Sequence, residues 1–335
     1  MNYFLKRTTL FLLSGILLTF MIISIAIKYF PEKFLGNQGE YLMWKYQQKK
    51  ITTIKQRHFN LIIGDSRGMS DINPKLLSSN YMNLSIGGAT FFEGLHTLKR
   101  VILGQNKIDT LILCYGQNHF EKSDVFNERT IPFNFINGYE LNELNRIEKE
   151  VNYCISEKRI GKPSFLKLIK RHLLHIRNPF VYRSTFMDNL KNNNTSSGIL
   201  SMIESLKKNN GHTLFGCADS ASMQSIEADQ EEFLPNPVLE CYLKSIFLRA
   251  NEKGMKIFII TPPISKITFE NCNNNYFKDF DIYLKVLSNK YKCIIVNYTT
   301  VYNNKYFGDP SHLNKSGCVK FSKYIKQKFS SQYHL

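Results

Sequence analysis

Acidic residues are scarce in this chain. Asp and Glu number 27 against 44 Lys and Arg, a formal net charge of +17 over 335 residues. A surplus of this size favours partners of negative sign: nucleic acid, anionic lipid or an acidic polymer. Further absences count against nucleic acid. No zinc-finger spacing, aromatic RNA-binding signature or basic zipper occurs, and the basic residues are spread along the chain. The 7 cysteines (Cys114, Cys154, Cys217, Cys241, Cys272, Cys293 and Cys318) form no CxxC pair, and no histidine is spaced with them as a metal ligand. Their odd count excludes a complete disulfide framework, though not one or two bridges. Cys114 and Cys293 stand inside apolar runs and are expected to be buried. No internal repeat is present. Hydrophobic residues make up 43% and charged residues 21%, which excludes wholesale disorder.

One run lacks charge altogether. Thr8 to Ile27, TTLFLLSGILLTFMIISIAI, gives 20 consecutive uncharged residues. About 20 are needed to cross the hydrocarbon core of a bilayer. The run is longer than the roughly 7–15 apolar residues of a cleaved signal peptide. Ser24-Ile25-Ala26 only weakly resembles a cleavage site. Residues 1–30 are therefore read as an uncleaved signal anchor, making the chain single-pass. Lys6 and Arg7 precede the run; Lys28, Lys33 and Lys45 follow it. Flanking charge does not set the direction, and long domains translocate largely regardless of it. The export-signal character of the run leads us to expect an extracytoplasmic domain.

Residues 31–57 read as a juxtamembrane linker with a helix near Gln38–Lys49. Five short apolar runs follow: His58–Ile63, Tyr81–Ser85, Thr110–Tyr115, Lys256–Thr261 and Lys292–Asn297. Continuous β-branched and aliphatic runs of this length suit strands buried on both faces of a parallel sheet. Phe92–Leu103 and Leu239–Lys253 have helical spacing between them. The pattern predicts a doubly wound α/β domain over 58–335. The gap from 116 to 255 is too long for one crossover, so about 121–235 is expected to be a helical insertion. Within it, Phe165, Leu166, Ile169, Leu173 and Ile176 recur at helical intervals beside Lys167, Lys170 and Arg171. The common arrangement packs such a stripe on the domain and leaves the lysines in solvent. The alternative is a basic amphipathic helix resting on anionic lipid or polymer. Lys191–Gly198, KNNNTSSG, reads as a polar loop.

Four places could carry chemistry. Ser66, in Gly64-Asp65-Ser66, follows the first strand at the edge where open α/β sheets place ligands. Serine needs a base to become a nucleophile. Histidine is the side chain suited to that task, and Asp309, three residues before His312, could fix its tautomer. Gly88, in Asn83-Leu84-Ser85-Ile86-Gly87-Gly88, could present a backbone N–H without Cβ obstruction; the adjacent Gly87 could serve instead. Asn118, in Gly116-Gln117-Asn118, could donate its amide to an oxyanion. Each alone is equally at home in a turn or a helix cap.

Taken together and in this order, the four blocks resemble the SGNH (GDSL-type) hydrolase superfamily over residues 58–329, with the insertion outside the resemblance. The resemblance implies a flavodoxin-like sheet. It further implies Ser66 as nucleophile, Asp309 and His312 as the rest of the catalytic set, and an oxyanion hole from Ser66, Gly88 and Asn118. Neither a metal nor an organic cofactor is implied. Two positions depart from the family pattern. Arg67 replaces the usual leucine and could meet an acidic substrate or lie at the rim in solvent. His119 stands where the family often has Asp. Membrane-anchored relatives acylate or deacylate surface polysaccharides, often beside a multispanning acyltransferase. The expectation is thus an O-acetyltransferase or acetyl-esterase on a cell-surface or wall glycan. A membrane-associated lipase or thioesterase, or a non-catalytic scaffold or glycan-binding subunit, is the alternative.

Overall fold

The computed structural model describes residues 2–35, 38–121, 126–154, 165–179, 181–182 and 197–333. These form two compact units, one of Met1–Leu42 with Phe126–Ser196 and one of Met43–Val125 with Ser197–Leu335.

The larger unit is built on five parallel strands: β1 (His58–Gly64), β2 (Tyr81–Asn83), β3 (Lys107–Cys114), β4 (Lys256–Ile260) and β6 (Ile294–Asn297). Their order is β2-β1-β3-β4-β6. All five expected strands are present, and no end is displaced by more than three residues. A separate pair, β5 (Ile264–Ser265) with β7 (Val301–Tyr302), lies outside this sheet. Side chains alternate between faces along each strand. Ile62, Ile112, Phe258, Ile260 and Val296 share a core with Phe321 and Ile325 of the helix Lys315–Lys328. Ile63 points the other way, toward Gly94 of the helix Phe91–Leu103 and Ile246 of the helix Pro237–Glu252. The helix starts are written in sequence. Thr90 and Glu93 form a reciprocal capping box, and Asn236 and Asn314 cap the next turn with their side chains.

The stretch expected as a linker does more than connect. The helix Gln38–Thr53 sends Trp44 Nε1 to the Gly87 carbonyl at 2.9 Å and Gln47 Nε2 to the Ser85 carbonyl at 2.9 Å. Two buried polar side chains thus hold the loop that follows β2. The expected insertion is also divided. Residues from Ser197 onward belong to the larger unit. They form the helix Ser197–Lys208, after which the Asn210 carbonyl accepts from the Asn83 N–H at the end of β2 and Phe215 lies against Gly87. The sequence-predicted polar loop at 191–196 lies outside the described residues, and Ser197 and Gly198 open that helix.

In the smaller unit the helix Asn2–Tyr29 is long and apolar enough to cross a membrane. At 28 residues it would extend about 42 Å. The helix Phe165–His175 reverses the expected packing. Its buried positions are Arg171 and Leu174, whereas Leu166 is 75%, Ile169 38% and Ile176 63% exposed. Arg171 is drawn inward by Glu148, which it meets at 2.7 and 2.8 Å, and by Asn127 and Asn145. A buried guanidinium saturated by acceptors settles which face turns in.

The sheet tolerates no side chain at Gly64. A Cβ there would stand 1.9 Å from the Cys114 carbonyl oxygen, because β1 and β3 converge on that pair. Gly64→Ala is expected to destabilise the protein by about 3 kcal/mol or more. Urea denaturation of the variant against wild type measures it, and an unchanged midpoint would refute the close approach.

Candidate active site

Ser66 stands two residues beyond the end of β1. Asp65 caps the short helix Ser66–Asp71, its Oδ1 accepting from the Arg67 N–H at 2.8 Å and the Gly68 N–H at 3.1 Å. Its Oδ2 accepts from the Gly116 N–H at 2.8 Å. One fully buried carboxylate therefore joins the loop after β1 to the loop after β3. Asn83 makes a similar joint from β2, donating to the carbonyls of Gly68 and Ile72 and accepting from the Ser85 N–H.

Asp309 and His312 sit on a tight loop. Phe307 and Leu313 pair across its base, and the Gly308 N–H donates to the His312 carbonyl at 2.9 Å. Asp309 Oδ1 accepts from the N–H groups of Ser311 and His312 at 2.8 and 2.7 Å. The carboxylate is also 2.8 Å from His312 Nδ1. His312 Nε2 is in turn 2.8 Å from Ser66 Oγ, across 246 residues of chain. Burial pushes the Asp309 carboxyl up, but the bonds from His312 and the two N–H groups outweigh it and hold it below its ordinary value. The structure thus brings Ser66, His312 and Asp309 into one hydrogen-bonded row.

The turn Ile86–Ala89 closes with the Ala89 N–H on the Ile86 carbonyl, and Gly88 has φ +72°. That conformation favours glycine. Gly87 does not need it and offers its carbonyl to Trp44. The structure therefore distinguishes the two glycines. Among the described residues, nothing accepts the N–H of Ser66 or of Gly88. Asn118 lies in the short helix Gln117–Phe120, partly buried, with its Oδ1 sealed from solvent.

Arg67 takes neither of its expected places. It is 4% exposed and forms an ion pair with the fully buried Glu227 at 2.6 Å, with Gln117 Oε1 at 3.2 Å from its other nitrogen. Burial opposes both charges, but each holds the other ionised: Glu227 falls below its ordinary value and Arg67 rises above its own. Ser225 Oγ donates to the second Glu227 oxygen. His119 is equally structural. Its Nε2 stands 3.2 Å from Asp65 Oδ2, its ring engages the Ala89 backbone, and burial lowers its pKa.

Three contributors had no sequence signal. Phe215 stacks on the His312 ring at 4.9 Å and 25°, and lies against Gly87. Gly216 packs directly on the backbone of Gly308 and Asp309. Asp71, fully buried, accepts from the Leu313 N–H at 3.0 Å. Phe215, Gly216 and Glu227 come from a stretch expected to lie outside the site.

No model of a known protein family matches the chain, and no curated protein matches it.

Two variants test this arrangement. Glu227→Gln leaves Arg67 buried and unpaired, which typically costs about 3–5 kcal/mol. A loss below about 1 kcal/mol by urea denaturation would contradict a buried pair. Asp71 concerns pH. Burial lifts its carboxyl to about 7 from an ordinary 3.8, against the opposing influence of His312. The folded state thus holds the proton more tightly than the unfolded chain. Its contribution is full below pH 3.8 and is lost as pH rises toward about 7. Asp71→Asn keeps the acceptor for Leu313 and removes the ionisation. Wild type should lose stability relative to Asp71→Asn across that window; parallel curves would refute the assignment.

Proposed function

We propose that this chain is a membrane-anchored serine enzyme of the SGNH type that transfers or removes acyl groups on an extracytoplasmic glycan. The observation that carries the reading is the row Asp309–His312–Ser66, with contacts of 2.8 Å at both joints. Nucleophile, base and orienting carboxylate in hydrogen-bonded sequence define this chemistry by geometry, whatever the fold.

In the proposed reaction, Ser66 Oγ attacks an ester carbonyl while His312 Nε2 takes its proton. Asp309 keeps Nδ1–H as donor and stabilises the imidazolium. The carbonyl electron pair moves onto oxygen, where the Ser66 and Gly88 N–H groups and the Asn118 amide receive it. Each such donor is worth roughly 10²–10³ in rate. Collapse expels the alkoxide, protonated by His312, and leaves an acyl-serine. Water or a sugar hydroxyl, deprotonated by His312, then takes the acyl group.

Further support comes from the sheet. In main-sheet numbering the order is 2-1-3-4-5, the flavodoxin-like order, and three of the four motif blocks follow its first three strands. The apolar helix Asn2–Tyr29 supports an anchor, and tethering raises the effective concentration of membrane-attached acyl donors or glycans. A multispanning acyltransferase is the proposed partner, by analogy with anchored members of that superfamily.

A fluorophosphonate probe should label Ser66 in the full-length protein, with no label on Ser66→Ala and greatly slowed labelling of Asp309→Asn, by about 10⁴ if the carboxylate acts as in other triads. Absence of label on folded wild-type protein would leave a scaffold or binding subunit instead. Comparing surface-glycan acetylation by NMR in wild-type and Ser66→Ala cells then separates the branches. A rise identifies a deacetylase and a loss a transferase. No change with a labelled serine turns the reading to lipid or thioester substrates.

A further inference from the structure

In the smaller unit, the helix Phe165–His175 buries Arg171 and Leu174 and leaves Leu166 and Ile169 exposed, with exposed Ile176 one residue past its end. Leu166, Ile169 and Ile176 recur three and seven residues apart, so they lie along one stripe. Partly exposed Leu173 falls on the same stripe, and exposed Lys170 and His172 flank it. Large aliphatic side chains grouped on one exposed helix face mark a surface meant to be covered. The inward side is occupied: Arg171 is saturated by Glu148, Asn127 and Asn145, and the Tyr182 hydroxyl donates to the Leu174 carbonyl. Rotating the helix to hide the stripe would strip the acceptors from a buried guanidinium, so the outward orientation is fixed by electrostatics.

What covers the stripe follows from its neighbours in the chain. Lys170 and Leu174 line a cavity of about 390 Å³ together with Phe34 and Leu35. Those two residues follow Tyr29, the last residue of the apolar helix, by only five and six positions. Six residues span at most about 20 Å even when fully extended. Here the turn Pro31–Lys33 shortens the path. The helix is therefore held beside the point where the span leaves the hydrocarbon.

We infer that Phe165–His175 is an interfacial helix that lies on the phospholipid surface, with Leu166, Ile169, Leu173 and Ile176 in the acyl boundary and Lys170 at the headgroup phosphates. Aliphatic burial below and a lysine at phosphate level is the arrangement such helices use. A lysine near an anionic leaflet adds about 1 kcal/mol of attraction. The inference rests on Asn2–Tyr29 being a membrane span. It makes the smaller unit a foot with two membrane contacts.

The single tryptophan makes the test direct, since Trp44 alone sets the background. Full-length wild type, Leu166→Trp and Ile169→Trp are reconstituted in phosphatidylcholine–phosphatidylglycerol vesicles whose acyl chains carry bromine. Both variants should show added, blue-shifted emission that brominated lipid quenches, while Trp44 in wild type sets the unquenched baseline. Two positions on one stripe guard against a single variant that misfolds. Vesicle flotation accompanies each sample. Protein that floats with its added tryptophan red-shifted and unquenched overturns the interfacial helix and leaves the span standing. Added emission that is blue-shifted yet unquenched by lipid also overturns it, and assigns the stripe to a protein contact. Protein that fails to float removes the span, and this inference with it.

Discussion

The Asp65 carboxylate is the joint on which the site depends. It is fully buried, and its oxygens accept N–H groups from Arg67 and Gly68 after β1 and from Gly116 after β3. Such charge-assisted bonds to backbone are strong where water is excluded. They also act on position. Bonding Gly116 to the residue before Ser66 fixes the distance between two loops that Arg67 and Gln117 also tie together. Gly64 allows this because nothing but hydrogen fits between β1 and the Cys114 carbonyl. His119 extends the joint. It stands against Asp65 and engages the backbone of Ala89, the neighbours of Ser66 and Gly88, and is itself the neighbour of Asn118. One ring thus touches the residues beside two of the proposed oxyanion donors, and its own residue adjoins the third.

The base is held from the opposite direction. Asp309 spends its carboxylate on two backbone N–H groups and on His312, so the same oxygens shape the loop and orient the imidazole. Asp71 fastens that loop to the helix carrying Ser66 through the Leu313 N–H. The Ser66–His312 contact is therefore set by two short links, the one through Asp71 buried, and not by the long chain between them. Phe215 covers one face of His312 and limits its rotation. The cost falls on Asp71, whose carboxyl gains only one backbone donor and keeps an unpartnered oxygen among the described residues. Neutralisation by a raised pKa is the expected response of such a group.

Much of this was legible in the residues. Five strands could be read because runs such as TLILC are buried on both faces, a demand that leaves a compositional mark. Ser66, Asp309, His312, Gly88 and Asn118 stood out because their neighbours, Asp65, Asn83 and the Asp309–His312 spacing, make local bonds that recur at short range. What stayed hidden was long-range. Glu227 is 160 residues from Arg67, and nothing in either neighbourhood announces the other. Arg67 therefore read as a surface residue. The helix at Phe165–His175 misled for a related reason. Its periodicity shows an amphipathic stripe, but which face turns inward was decided by Glu148 and two asparagines elsewhere in the sequence.

The division of the central segment has a consequence for what surrounds the chemistry. The strand ends supply the proposed nucleophile and oxyanion donors, and such edges are shared by all sheets of this order. Residues 209–227 supply Phe215 against the base, Gly216 against the Asp309 loop and Glu227 against Arg67. None of these makes or breaks a bond in the proposed reaction, yet each fixes a group that does or its immediate neighbour. The returning stretch is thus part of the unit that shapes the proposed site. Only 126–196 belongs with Met1–Leu42, so the unit that carries the apolar helix is itself assembled from two distant pieces of chain. The segment that follows the apolar helix thus packs against residues that the chain supplies only after β1 to β3.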